Sequence, residues 1–198
     1  MTSHLLDRNK TWVQERLSAD PKWFDQFAAG QSPTALWIGC ADSRVPPEVI
    51  SGSGPGELFV HRNIANIVHP MDLSIMSVLQ YAVQNLKVSD VIVCGHIHCG
   101  GVAAALDGHD DGLLDHWLAP VFELATEEPG PHCDADRPEV LARMVGLNVQ
   151  RSVERLAATR IIRAAWAQGH SITIHGWVYD PGTGLLRDLN CTTAGPVT

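Results

Sequence analysis

Residues Ala35–Glu48 read ALWIGCADSRVPPE. The first five are an apolar run of strand length, suited to a position buried on both faces of a parallel sheet. The next five place Cys40, Asp42 and Arg44 on alternate positions. A thiol, a carboxylate and a guanidinium at the carboxyl end of a buried strand suggest a ligand site, because open α/β sheets collect ligands there.

The rest of the chain alternates in the same way. Leu58–Val60 and Asp90–His96 ("DVIVCGH") read as further strands, the second rich in β-branched residues. Between them, Leu73, Met76, Leu79, Ala82 and Leu86 recur at helical spacing, with Asp72 as the cap. A small-residue helix runs from Gly100 to about Leu106, and another covers 113–125. Helical pattern resumes from Pro138 to Gln168, is broken near Thr159, and stops at Gly169. Ser171–Asp180 is a fourth strand, and the turn Asp180–Gly184 leads into a short edge strand, LLRDLN. The fold class expected is therefore α/β, a mostly parallel central sheet flanked by helices. Residues 3–30 read as two helices, the second starting at Asp20–Pro21, and their Trp12, Val13, Trp23, Phe24 and Phe27 have no evident place in a one-chain sheet. One domain spans 1–198, with an N-terminal helical arm over 1–33 and the α/β core over 34–198.

Composition narrows the function. The 198 residues carry a formal charge of −8 and no basic stripe, which argues against nucleic acid as a partner. No apolar run is long enough to span a membrane, and the N-terminus lacks the apolar core of a signal peptide. Five cysteines, an odd number, favour reduced thiols over a disulfide framework, and a cytoplasmic location follows as the expectation.

A second cluster, "CGHIHCGG" (94–101), gives His96 and Cys99 the spacing His-x-x-Cys. If its strand neighbours the first, Cys40, His96 and Cys99 meet at one point. Two thiolates and an imidazole suit one zinc ion per chain, with a fourth position left open for chemistry. Zinc with two thiolates is formally neutral and acidifies water less than a three-histidine site would, so a nearby acceptor helps; Asp42 can be that acceptor. Left free, Asp42 could instead fill the fourth position, and Arg44 can hold it back in a bidentate fork. Asp42–Arg44 could also be a plain structural ion pair. Cys94, inside a strand, reads as core; Cys133 and Cys191 sit in loop-like sequence without an assigned role.

CADSR together with HIHC and its following Gly-Gly resembles the β-class carbonic anhydrases, whose pattern is Cys-x-Asp-x-Arg with His-x-x-Cys. The resemblance extends through GELFVHRNIANIV and LQYAV to IHGWVYD, nearly the whole chain. It implies reversible hydration of carbon dioxide to bicarbonate, with Cys40, His96 and Cys99 as zinc ligands and Asp42–Arg44 as the catalytic dyad. It implies that Gln31 and the Gly100 amide bind substrate, and that Phe59, Ile64 and Tyr81 line the pocket from a partner subunit in a dimer or tetramer. A subgroup of that class has a second, inhibitory bicarbonate site, matched here by Trp37, Arg62 and Tyr179. Inhibition by bicarbonate and by low pH is then expected, with Asp42 as fourth zinc ligand in the closed state. Two other readings stay open: a related zinc hydrolase of carbon disulfide or carbonyl sulfide, and a bicarbonate-binding protein with little turnover.

Overall fold

The computed structural model describes residues 2–108, 112–127 and 137–195. Cys133 lies outside them. The chain divides into two units, Met1–Ser32 and Pro33–Thr198.

In the first unit, α1 (Ser3–Ala19) carries Trp12 into an aromatic cluster. Trp12 and Trp23 meet edge to face at 5.4 Å, and Trp23 packs on both Phe24 and Phe27 at 4.8 Å. The Arg16 guanidinium lies over Trp12 and Trp23, 5.9 and 5.7 Å from their centroids. The second helix differs from expectation. The Asp20 carboxylate accepts the Lys22 N–H at 2.9 Å and closes a local turn, so α2 covers only Asp25–Ala28. That turn also brings Trp23 and Phe24 onto Trp12.

The second unit is built on a sheet. Its strands are β1 (Ala35–Cys40), β2 (Leu58–Asn63), β3 (Asp90–His96), β4 (Thr173–Asp180), β5 (Leu185–Asp188) and the short β6 (Thr193–Ala194). The order is β2-β1-β3-β4-β5, with β6 paired to β4. The pairs β1–β2, β1–β3 and β3–β4 are parallel, whereas β5 and β6 run antiparallel to β4. All six residues of β1 are buried, as its unbroken apolar run demands, and those of the edge strand β2 are all half-buried.

The helices are α3 (Pro47–Ser51), α4 (Leu73–Tyr81), α5 (Gly100–Asp107), α6 (Leu113–Glu127), α7 (Arg137–Ala158) and α8 (Arg160–Ala167). Asp72 caps α4 as expected, its carboxylate accepting the Ser74 N–H at 2.9 Å, and the helix continues as a π-turn over Ala82–Leu86. Thr159 both breaks the long helical stretch and starts α8, its hydroxyl accepting the Ile162 N–H. α7 buries Met144, Val145, Asn148, Val149, Ser152, Val153 and Leu156, an i, i+3/i+4 stripe with two polar members. It seats closely on the sheet because β3 and β4 carry glycines beneath it. A Cβ at Gly95 would come within 2.8 Å of Val149, and one at Gly176 within 3.0 Å of the same side chain.

The larger core lies on the α7 side, with Leu36, Ile38, Val91, Val93 and Ile174 pointing into it. A smaller cluster on the opposite face joins Ala35, Trp37, Ile92 and Cys94, with Trp177 and Tyr179 packed against it. Among the described residues no helix is long and apolar enough to cross a membrane.

Candidate active site

The strand order reverses between β1 and β3, since the chain leaves β1 for β2 on one side and returns to β3 on the other. Cys40 ends β1 and His96 ends β3 on the two sides of that point, and Cys99 immediately precedes α5. All three side chains are buried. Their ligand atoms lie within 4.8 Å of one another, and the two sulfurs are 3.9 Å apart. Zinc–sulfur bonds of about 2.3 Å at tetrahedral angles would separate two sulfurs by about 3.8 Å.

Three further observations test whether a metal fits. First, His96 Nε2 is buried and has no hydrogen-bond partner among the described residues. Its Nδ1 lies 3.1 Å from the Ile97 carbonyl, which can only accept, so Nδ1 carries the proton and Nε2 keeps a free lone pair. Second, the two thiols compete for one proton. The Cys99 thiol foremost, with the backbone N–H groups of Asp42 and Ala65, lowers the Cys40 pKa to about 4 against the opposing effect of burial. Cys99 is pushed upward, first by Cys40 and then by burial, although the Val102 and Gly101 N–H groups favour its thiolate. A dication between them would let both ionise. Third, Cys94 behaves differently: burial raises it to about 12, and its S–H bonds the Gly95 carbonyl, as fits a core thiol. The donor set therefore fits zinc.

Asp42 and Arg44 stand beside this cluster. Arg44 Nε donates to Asp42 Oδ1 at 2.9 Å and Nη2 to Oδ2 at 2.7 Å, a bidentate fork, and the Arg44 N–H adds a third bond to Oδ1. Arg44 Nη2 also donates to the His98 carbonyl at 3.1 Å, where His98 adopts the left-handed φ of 58°. Asp42 Oδ2 is 3.8 Å from His96 Nε2. The Arg44 side chain foremost holds the Asp42 carboxyl well below the usual carboxylate range, with burial opposing. Asp42 is 18% exposed and Arg44 52%, so the fork bridges the buried cluster and the surface.

The other residues read from the sequence are placed as follows. Gly100 is the first residue of α5. Phe59 and Tyr81 lie ring to ring at 5.7 Å, and Tyr81 and Ile64 are 46% and 43% exposed. Gln31 is exposed, near the end of the first unit. Register puts Trp37, Arg62 and Tyr179 on one face of the sheet: Trp37 pairs with Val60, two before Arg62, and Cys94 pairs with Trp177, two before Tyr179. Trp37 is buried edge to face against Trp177. Arg62 donates from Nε to the Cys40 carbonyl at 2.7 Å and from Nη2 to the Asp42 carbonyl.

Several contributors escape sequence reading. The backbone N–H groups of Asp42 and Ala65 are among the causes that lower the Cys40 pKa, yet a backbone amide leaves no mark in the residue type. Asn148 donates to the Ala65 carbonyl at 2.8 Å. Its signal was available, as a polar residue on the apolar stripe of an amphipathic helix.

Comparison with known proteins bears on this constellation. The sequence model of the carbonic anhydrase family matches residues 35–186. A carbonic anhydrase of Emericella nidulans is 44% identical over 192 residues, covering 96% of this chain and 84% of its own. This chain belongs to the β-carbonic anhydrase family. A Coccomyxa β-carbonic anhydrase, solved with acetazolamide, superposes with a TM-score of 0.93 at 38% identity, covering 98% of this chain and 89% of its own. A β-carbonic anhydrase from Sordaria macrospora, described as tetrameric, superposes with a TM-score of 0.89 at 41% identity, covering 97% and 98%. Zinc is the metal of this family, in keeping with the donor set.

Cys99→Ala should abolish stoichiometric zinc binding, since one thiolate and one imidazole would remain. Elemental analysis after gel filtration measures it; full zinc content in the variant would remove Cys99 from the ligand set.

Proposed function

We propose that this carbonic anhydrase converts carbon dioxide and water into bicarbonate and a proton at the cluster of Cys40, His96 and Cys99, which would hold zinc. The observation that carries the reading is the pairing of that buried cluster with the bidentate Asp42–Arg44 fork, 3.8 Å from His96 Nε2. Zinc, when bound, supplies Lewis-acid activation of water as a nucleophile near neutral pH. The Asp42 carboxylate, 3.8 Å from His96 Nε2, would accept a hydrogen bond from that water and orient it. Because Arg44 holds the carboxyl well below the usual carboxylate range, Asp42 would stay ionised and serve as a hydrogen-bond acceptor rather than take up the proton itself. By holding both carboxylate oxygens, Arg44 would also keep Asp42 from turning to the metal itself. We assign to the Gly100 N–H the binding of a substrate oxygen, and to Phe59, Ile64 and Tyr81 an apolar wall that suits carbon dioxide.

Stopped-flow hydration assays of the zinc-loaded protein test this. Asp42→Asn and Arg44→Ala should each keep zinc and lower turnover by about two orders of magnitude, the usual scale for a positioned acid–base group. Wild-type rates in both variants would overturn the roles of the fork.

We further assign Trp37, Arg62 and Tyr179 to an inhibitory bicarbonate site. They share one sheet face, and a Cβ on Gly39 would come within 2.7 Å of Trp37 Nε1, so the indole lies over the residue registered with Arg62. Arg62 spends two donors on the carbonyls of Cys40 and Asp42. An anion drawn to this guanidinium would compete for those donors and loosen the segment that Arg44 steadies. Asp42 would then be free to become the fourth ligand of the closed state. Low pH would act in the same direction, because less hydroxide competes with Asp42. Bicarbonate should inhibit the wild type beyond simple product competition, and Trp37→Phe and Tyr179→Phe should relieve that inhibition. Identical bicarbonate titrations in all three proteins would reduce the triad to packing.

Self-association completes the reading. The half-exposed Ile64 and Tyr81 and the tetrameric Sordaria relative support a pocket shared between copies. Light scattering at micromolar concentration should give a dimer or tetramer; a lone monomer would refute the shared pocket. We assign the enzyme to the cytoplasm, where thiol ligands stay reduced.

A further inference from the structure

Burial alone does not fix the wall residue Ile64. It is apolar yet 43% exposed, and it packs on α5 beside the chain that supplies Cys99: a Cβ at Gly101 would come within 2.7 Å of Ile64 Cγ2. Its place depends on the turn that follows β2. Ala65 and Asn66 there are buried and left-handed, with φ of 62° and 45°, a conformation that non-glycine residues rarely adopt. Any relaxation of Ala65 toward an ordinary φ turns the peptide that joins it to Ile64, and the Ile64 carbonyl with that peptide. Trp117 of α6 stands against this motion, its indole N–H donating to the Ile64 carbonyl at 2.9 Å. Other side chains hold later parts of the turn. Asn148 donates to the Ala65 carbonyl, and Asn63 bonds both the N–H and the carbonyl of Ile67. The Ile64 carbonyl is held by Trp117.

We propose that Trp117 is a positioning residue for substrate binding: by holding the Ile64 carbonyl it keeps the exposed Ile64 side chain against α5 as part of the apolar wall. The inference rests on the reading of Ile64 as a wall residue. Trp117 suits the role because α6 is anchored independently of the turn, through its buried Leu118, Val121 and Leu124. A wall contact made equally in the bound ground state and the transition state lowers KM without raising kcat, so loss of the bond is read in KM. Trp166 of α8 supplies a matched control. Its indole N–H donates to the Ile172 carbonyl, also at 2.9 Å, just before β4 and so at the end of the sheet opposite the cluster.

The test uses the full-length, zinc-loaded protein, with KM and kcat from stopped-flow hydration of carbon dioxide and zinc content from elemental analysis. Trp117→Phe keeps an aromatic ring and loses the donor. It should raise KM about threefold to tenfold, the scale of one neutral hydrogen bond, and leave kcat and zinc content unchanged. Ile64→Ala should raise KM as well. Adding Trp117→Phe to Ile64→Ala should then have no further effect, because both act through one side chain. Trp166→Phe should keep the wild-type KM. Should Trp117→Phe fail to fold, benzothienylalanine in place of Trp117 retains the two-ring shape without the N–H and makes the same comparison. An unchanged KM without the Trp117 donor, a rise that adds to that of Ile64→Ala, a loss of zinc or of kcat instead of a rise in KM, or an equal rise in Trp166→Phe would each overturn the inference. A wild type without turnover would overturn the proposed reaction, and an unchanged KM in Ile64→Ala the wall reading; this inference falls with either. An Ile64→Ala protein with raised KM beside an unchanged Trp117→Phe protein would overturn this inference alone.

Discussion

The pairing of β1 directly with β3 is the constraint on which the rest depends. Parallel neighbours lie about 4.8 Å apart, so side chains at the ends of adjacent strands can share one small ligand. Inserting another strand between them would double that separation and put the Cys40 sulfur beyond reach of the His96 imidazole. The right-handed crossovers of a parallel sheet make this adjacency available only where the strand order reverses. Cys99 then enters at no topological cost, since the chain leaving β3 turns straight into α5. The same geometry leaves room for the Asp42–Arg44 fork, which hangs from β1 and is tied through Arg44 to the His98 carbonyl.

Around that point the molecule departs from ordinary backbone conformations. Ala65, Asn66 and His98 are all left-handed, and all lie within or beside the segments that hold the cluster. Each such residue costs on the order of 1–3 kcal/mol and persists only where its surroundings over-determine it. Here they do. Carbonyls that a regular strand or helix would satisfy internally are taken by Arg62, Arg44, Asn148 and Trp117. Polar side chains on α7 and β2 are therefore part of the site's framework, although none is a metal ligand.

The N-terminal unit illustrates a different balance. Asp20 followed by Pro21 is a sound helix start by local rules, yet the Asp20 carboxylate closes a turn onto Lys22. A helix there would have carried Trp23 and Phe24 along its own axis. The turn instead stacks them on Trp12, under the Arg16 guanidinium. Aromatic burial outweighs helix propensity, which is worth only a few tenths of a kcal/mol per residue.

The sequence by itself determined the element types and the chemistry at two strand ends. Unbroken apolar runs such as ALWIG and VIVCG suit a doubly covered parallel sheet, and Asp72 and Thr159 announce helix starts through capping chemistry. Two thiols, an imidazole, an acid and an arginine at Cys-x-Asp-x-Arg and His-x-x-Cys spacing were legible for the same reason: side-chain chemistry belongs to the residue type. What the tertiary structure alone decided was which strands are neighbours, and so whether Cys40 and His96 meet at all. It also decided where backbone groups point. The Ala65, Ile97 and His98 carbonyls and the two carbonyls held by Arg62 come from atoms that every residue carries, so no letter marks them. Their roles arise from φ, ψ and the packing of α5, α6 and α7 against the sheet, quantities set by contacts between residues as far apart as Ala65 and Asn148.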